Sequence, residues 1–408
     1  MTTTAGPRVG LARLTVTRGL ISAAAAAIAI IWGYAAFIFS DSAFLTGLLD
    51  TAYTVAFAAA ASWLTTGRWP LSPRASIAVS GLASAAVTVV LGLLLSPNDY
   101  WWRLLLVVVI GAIMGLSYPA WYALLRRGRD GDEFYGQIGI YESCRVVAVL
   151  LGTSGCGLLG RLLGLETTTV LIAVVFAAGG LLALSFPRSR AGDRMPPKRA
   201  DGPVGPLDAQ VHHRIRLLFG LLAAIQLMLA PIVAVVAVLA VRDDHGGVAQ
   251  VGLLSSLFGA GSAAQFVTTK VAARGVNVRV LVSAILTLML GCAVLAAVWD
   301  TAVTDALLMV SFGFGVTSIG TLINAEIQLS VPESVRDRYV SGFALVFALP
   351  LAAGSSLWGL AADYLPVPTI AVISTTSTCV VAILLLAWRR VSGHRAVQGD
   401  PEPGHSTR

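Results

Sequence analysis

Residues 187–214 read PRSRAGDRMPPKRADGPVGPLDAQVHHR. Five prolines (Pro187, Pro196, Pro197, Pro203, Pro206), three glycines and dense charge make this stretch a flexible linker. It contains the chain midpoint, and on either side of it the composition inverts. Of 408 residues, 56% are hydrophobic and only 12% charged, with a mean hydropathy of +0.81. A soluble domain carries roughly 25% charged residues. So much apolar surface cannot be hidden behind so few charges. This excludes both a water-soluble enzyme and a disordered chain, and places the protein in a bilayer.

A helix needs about 20 apolar residues to cross a hydrocarbon core of ~30 Å. Twelve such runs occur, near 19–39, 44–65, 75–95, 102–125, 136–160, 168–186, 215–240, 248–268, 279–298, 306–330, 339–361 and 368–388. Six precede the linker and six follow it. The first is too long for a signal-peptide core and is expected to be a retained helix. The implied division is an N-terminal bundle over 1–186, a cytoplasmic linker over 187–214, a C-terminal bundle over 215–390 and a cytoplasmic tail over 391–408.

Orientation follows from the basic residues. With both termini cytoplasmic, 24 of the 28 Lys and Arg fall in inside segments, Arg18 among them. Arg103, Arg161 and Arg242 fall outside, and Arg145 lies within a span. That asymmetry is the positive-inside pattern of a multi-pass protein of the cell (inner or cytoplasmic) membrane. It also accounts for the net charge of +7 without a nucleic-acid partner. The four cysteines, Cys144, Cys156, Cys292 and Cys379, have no short spacing and read as packing residues rather than a disulfide framework or zinc site.

The two halves repeat in layout. In the first, Leu124-Leu125 meets a charged turn, Arg126 to Glu133, before Tyr135 opens a span reaching Gly152. In the second, Leu329-Ser330 meets the turn Val331 to Arg338, and Tyr339 opens a span reaching Gly354. Repeats in parallel orientation imply two bundles related by an axis along the membrane normal.

These features resemble the major facilitator superfamily over essentially the whole chain. Residues 331–363, from Val331-Pro332-Glu333 through Arg336 and Arg338 to Pro350, Gly354, Gly359 and Asp363, are similar to the tenth-to-eleventh helix region of its bacterial twelve-helix efflux members. The loop after span eight, with Gly261, Lys270, Arg274 and Arg279, resembles the second copy of the family's basic loop motif. The first copy is reduced to Gly67-Arg68-Trp69-Pro70 with Arg74 further on, and lacks the usual acidic residue. Residues 152–157 (Gly-Thr-Ser-Gly-Cys-Gly) resemble the fifth-helix antiporter motif, with Thr153 where that motif carries proline. The resemblance implies an all-α membrane fold of twelve helices in two pseudo-symmetric six-helix bundles, and alternating access around a cavity built from spans one, four, seven and ten. It assigns Arg68, Arg74, Lys270, Arg274, Arg279, Arg336 and Arg338 to the cytoplasmic gate and loop motifs.

Ionisable side chains inside a membrane are costly and therefore functional candidates. Among acidic residues only Asp50, Glu142 and Glu326 fall within apolar runs, and all five histidines lie in loops or tails. Any proton relay must therefore use a carboxylate. Glu142 and Arg145, three residues apart, share one face of span five with Val149, Gly152 and Cys156, leaving Val147, Leu151 and Leu158 toward lipid. That pair reads either as a structural staple or as a proton-linked or anion-binding site. Glu326 reads as a cytoplasmic-gate residue that pairs with a loop arginine, Asp50 as an interface residue, and Gln226 as bundle glue or a substrate hydrogen-bonder. Trp32, Tyr34, Tyr118, Trp121, Phe312 and Phe314 are the candidate cavity lining.

No glycine-rich loop precedes Lys-Ser/Thr, and no metalloprotease or esterase motif occurs. Asp130, Asp132 and Glu133 sit beside three arginines and read as solvated loop charge, so no metal and no cofactor is expected. The expected activity is proton-coupled export of a small amphipathic organic compound by a monomer. Uptake or facilitated diffusion is the alternative, and a membrane enzyme acting on lipid-linked substrates a more distant one.

Overall fold

The computed structural model describes residues 10–64, 71–93, 100–126, 131–187, 209–243, 247–274, 276–299, 301–330 and 333–397. Helices α1 (Leu11–Ser40), α2 (Ala43–Leu64), α3 (Pro73–Leu93), α4 (Tyr100–Arg126), α5 (Gly131–Leu163) and α6 (Leu165–Ala183) form the first half. The second holds α7 (Ala209–Met228), α8 (Val248–Ala263), α9 (Val278–Val298), α10 (Ala302–Ser330), α11 (Glu333–Ala362) and α12 (Val367–Val397). Among the described residues there is no strand, and twelve helices are long and apolar enough to cross a membrane.

Two spans are broken. Pro231 has no N–H to donate, and beyond α7 the chain passes into a 3-10 turn (Ala230–Val233), a single α turn (Val236–Val238) and a π turn (Leu239–Asp243). Span eight pauses at Ala264 and resumes over Gln265–Ala273. α7 begins inside the stretch that reads as linker.

Packing repeats between halves. α1 packs on α5 and α6, α2 on α4, and α3 on α4 and α6. The counterparts hold: α7 packs on α11 and α12, α8 on α10, and α9 on α10 and α12. α3, α6, α9 and α12 expose large apolar side chains such as Val79, Val174, Val280 and Ile383, which suit lipid. Val147, Leu151 and Leu158 of α5 are likewise exposed.

The halves meet along two equivalent seams, α2 against α11 and α5 against α8. Hydrogen bonds across them lie toward the end where α1 turns into α2. Thr51 donates to the Ala352 carbonyl at 2.5 Å, and its hydroxyl is 2.8 Å from that of Ser356. Ser256 bonds the hydroxyls of Thr153 at 3.3 Å and Ser154 at 2.6 Å. Beside them Gly157 and Gly252 bring two backbones so close that a Cβ on either would strike the other chain.

Candidate functional site

The first half contains a continuous aromatic ladder. Trp32 of α1 lies 5.5 Å from Tyr53 of α2, Tyr53 is 6.3 Å from Phe57, and Phe57 meets Tyr118 of α4 edge-on at 5.4 Å. Tyr118 continues to Tyr122 at 5.2 Å, and Tyr122 to Tyr141 of α5 at 6.4 Å. Stacked and edge-to-face pairs at these spacings favour such a chain. Tyr118 stays half-buried, as do Tyr34 and Phe314. Trp32 is buried.

Two expected lining residues are packed away instead. Phe312 is fully buried against Trp358 of α11, 6.5 Å between ring centres. Trp121 is fully buried beneath the guanidinium of Arg18, whose carbon stands 5.1 Å from the ring centre. Both face the bundle interior as expected, but interhelical packing covers them.

Arg18 itself is the largest departure from the sequence reading, which counted it in the cytoplasmic flank. It is 8% exposed. Leu14 and Ile21, one turn to either side, are fully buried, so the apolar face of α1 extends back past the arginine. That spacing was legible in the sequence. Arg103 and Asp305 depart in the same way: both read as outer-loop charges, yet they are 1% and 0% exposed in the first turns of α4 and α10. They occupy positions 202 residues apart, the offset of the repeat.

Asp50 does not face lipid or a loop. Its carboxylate accepts a 2.5 Å hydrogen bond from Ser355 of α11, directly across the seam. At the end of the same seam Asp363 accepts from the N–H of Ala43 at 2.6 Å and of Phe44 at 3.3 Å, and from the Ser42 hydroxyl at 3.2 Å. Arg242, beyond α7, reaches the Ala362 carbonyl at 2.5 Å, stands 3.9 Å from Asp363 and covers the Phe37 ring at 5.2 Å.

Gln226 of α7 is 1% exposed, and neither its Nε2 nor its Oε1 has a hydrogen-bond partner. Glu326 pairs with Arg214, which the structure places in α7 rather than in a loop. On α5, Gly152 packs on Ala23 and the Cys156 thiol reaches the Ala27 carbonyl at 3.2 Å. Arg145 is half-buried, and the side chain of its neighbour Glu142 lies outside the described residues. So do Arg68 and the side chains of Arg336, Arg338, Asp132 and Glu133. Lys270, Arg274 and Arg279 are exposed, Lys270 standing 5.5 Å from the Phe266 ring centre, and Arg74 is half-buried.

The Major Facilitator Superfamily sequence model matches residues 14–355. The chain belongs to this superfamily. Solved structures agree in fold. The nucleoside transporter NupG superposes with a TM-score of 0.69 at 15% identity, covering 92% of this chain and 98% of that one. A bacterial homolog of the human lysosomal transporter Spinster, inward-facing and occupied, gives 0.68 at 15% identity over 97% of this chain and 98% of that one. A bacterial homologue of the iron transporter ferroportin, also inward-facing, gives 0.62 at 13% identity over 93% and 98%. No curated protein matches the chain in sequence. This superfamily member is therefore a membrane transporter and not an enzyme, and its substrate is a small molecule.

Proposed function

We propose that this chain is a proton-coupled secondary transporter of the cell membrane that exports a small amphipathic organic compound, as a monomer with both termini cytoplasmic. In that orientation the bonded seam ends are external, so the conformation described is closed to the outside. The halves 1–186 and 215–390 are the rocking units. The aromatic ladder of α1, α2 and α4 offers ring faces and few charges to the solute, which favours an apolar body over a sugar.

The observation that carries the coupling is the Asp50–Ser355 hydrogen bond across the seam. Closing the seam takes the Asp50 carboxyl out of water, and a proton removes the charge that would otherwise be buried. A carrier that is open to the outside picks up its proton there, closes, and delivers it inward. Glu142, next to Arg145 in α5, is the second candidate for this role.

The test uses vesicles containing the purified chain and an imposed pH gradient, with a panel of naphthalene derivatives (neutral, anionic and cationic) as probes. At least one is expected to move against its own gradient when the pH gradient is present. D50N is expected to abolish that uphill movement and keep downhill exchange. Uphill transport by D50N at the native rate would remove Asp50 from the coupling role. Uptake is the second reading, favoured by Thr153: at the position where an antiporter motif has proline, it spends its hydroxyl on the seam with α8.

A further inference from the structure

We infer that the transported solute carries an anionic group, held by the buried guanidinium of Arg18. The inference rests on the transporter reading above and adds the chemistry of its substrate.

A cation within a membrane-spanning helix is retained at a cost unless something compensates it. Arg18 has partial compensation only. Its guanidinium lies over the Trp121 ring, a contact worth about 2 kcal/mol when desolvated. Its Nε, inaccessible to water, has no hydrogen-bond acceptor. Among the described residues no carboxylate stands at ion-pair distance from Arg18. Arg18 and Asp50 both act electrostatically on Tyr53, but Asp50 gives its carboxylate to Ser355.

A buried guanidinium therefore stands beside the aromatic ladder with a donor unused. Its planar fork matches carboxylate, sulfonate or phosphate oxygens, and such charge-assisted bonds are the strong ones. The rings of Tyr53, Phe57 and Tyr118 supply the apolar surface for the rest of the molecule. An aromatic or alkyl anion satisfies both halves of this environment at once. A neutral solute leaves Arg18 unsatisfied, and a cation is repelled by it. Another buried polar side chain without a partner, Gln226 on α7, stands in the opposite half. It supplies an amide to a second polar group of the solute.

The experiment is equilibrium dialysis of the purified full-length chain in phosphatidylcholine nanodiscs, with no pH gradient. The probes are 2-naphthoate and naphthalene-2-sulfonate, each against its neutral amide. We expect at least one anion to bind ten-fold or more tightly than its amide. R18Q should erase that difference, and R18K should keep part of it. Amides that bind as tightly as the anions overturn the inference, as does the absence of binding by either anion, or an R18Q protein with the native preference. The anion–amide comparison on the native chain needs no variant and so does not depend on how R18Q folds. Repeating it with phosphatidylglycerol in the nanodisc separates the sources: competition by that lipid identifies a headgroup phosphate at Arg18, and its absence identifies a free solute. Arg18-dependent binding of the anion without proton-driven flux in vesicles would leave the anion site standing and sink the coupled-export reading. Uphill flux with no anion preference would do the reverse.

Discussion

The carboxylate of Asp363, at the end of α11, accepts the backbone N–H of Ala43, at the start of α2, at 2.6 Å across 320 residues of sequence. It caps a helix in the opposite half. The first N–H groups of a helix have no partner within it, and an anion placed there also meets the positive end of the helix dipole. The bond exists only while the α2–α11 seam is closed at this end, so it acts as a latch. Arg242 steadies the latch from the π turn beyond α7.

D363A should remove this latch. Loss of a helix cap costs about 1 kcal/mol, roughly a fivefold shift in a two-state equilibrium. Spin labels at Trp101 and Tyr364, both exposed, should report a larger open population by electron–electron resonance. An unchanged distance distribution would mean that the cap does not govern opening.

Gly157→Val should be damaging where Gly155→Ala is silent. A Cβ at 157 strikes the backbone of Gly252, whereas one at 155 meets nothing within 4 Å. The first variant should lose thermal stability and populate the opened α5–α8 seam, and the second should keep the native melting temperature and transport rate. Equal behaviour of the two would show that the glycine run serves something other than helix approach.

Gln226→Leu should separate stability from function. Removing an amide with no partner relieves its desolvation cost, about 1–3 kcal/mol, so the melting temperature should rise. Solute binding should fall if the amide bonds the solute. A variant that is destabilised, or one that binds as the native chain does, would return Gln226 to a packing role.

Glu326→Gln should change little in stability. Arg214, its partner, is half exposed, and such pairs are worth less than about 1 kcal/mol. Thermal unfolding in detergent should shift by at most a few degrees. A large loss would show that the pair holds α7 against α10 more firmly than its exposure implies.

Much of the site was legible one residue at a time and illegible as an arrangement. Asp50 stood out because carboxylates are rare in apolar runs, yet nothing around it in sequence points to Ser355. Arg18 was hidden by its neighbours: Arg8 and Arg13 precede it, and a third arginine in series reads as more of the cytoplasmic flank. Leu14 and Ile21 carry the apolar spacing across it in the sequence, and their burial on the same face shows that the packed helix already includes it. Asp305 was lost because its apolar run begins one residue later, and Arg103 because a charge at the edge of a span counts with the loop. Phe312 and Trp121 failed differently, because periodicity gives the face of a helix but not how closely its neighbour packs.

The twelve spans, their division into six and six around residues 187–214, and the repeat follow from composition and spacing alone. Hydrocarbon thickness sets helix length, and a polar linker cannot enter a bilayer, so both are local properties of the chain. The seams are not local. Asp363 meets Ala43, Asp50 meets Ser355 and Gly157 meets Gly252 only because the two halves pack together at one end. Such contacts depend on the relative placement of rigid bodies, which in an alternating-access protein differs from one state to the next. Tertiary structure alone decided which charges in this nearly chargeless chain sit on the seam, and it left the buried Nε of Arg18 without an acceptor among the described residues.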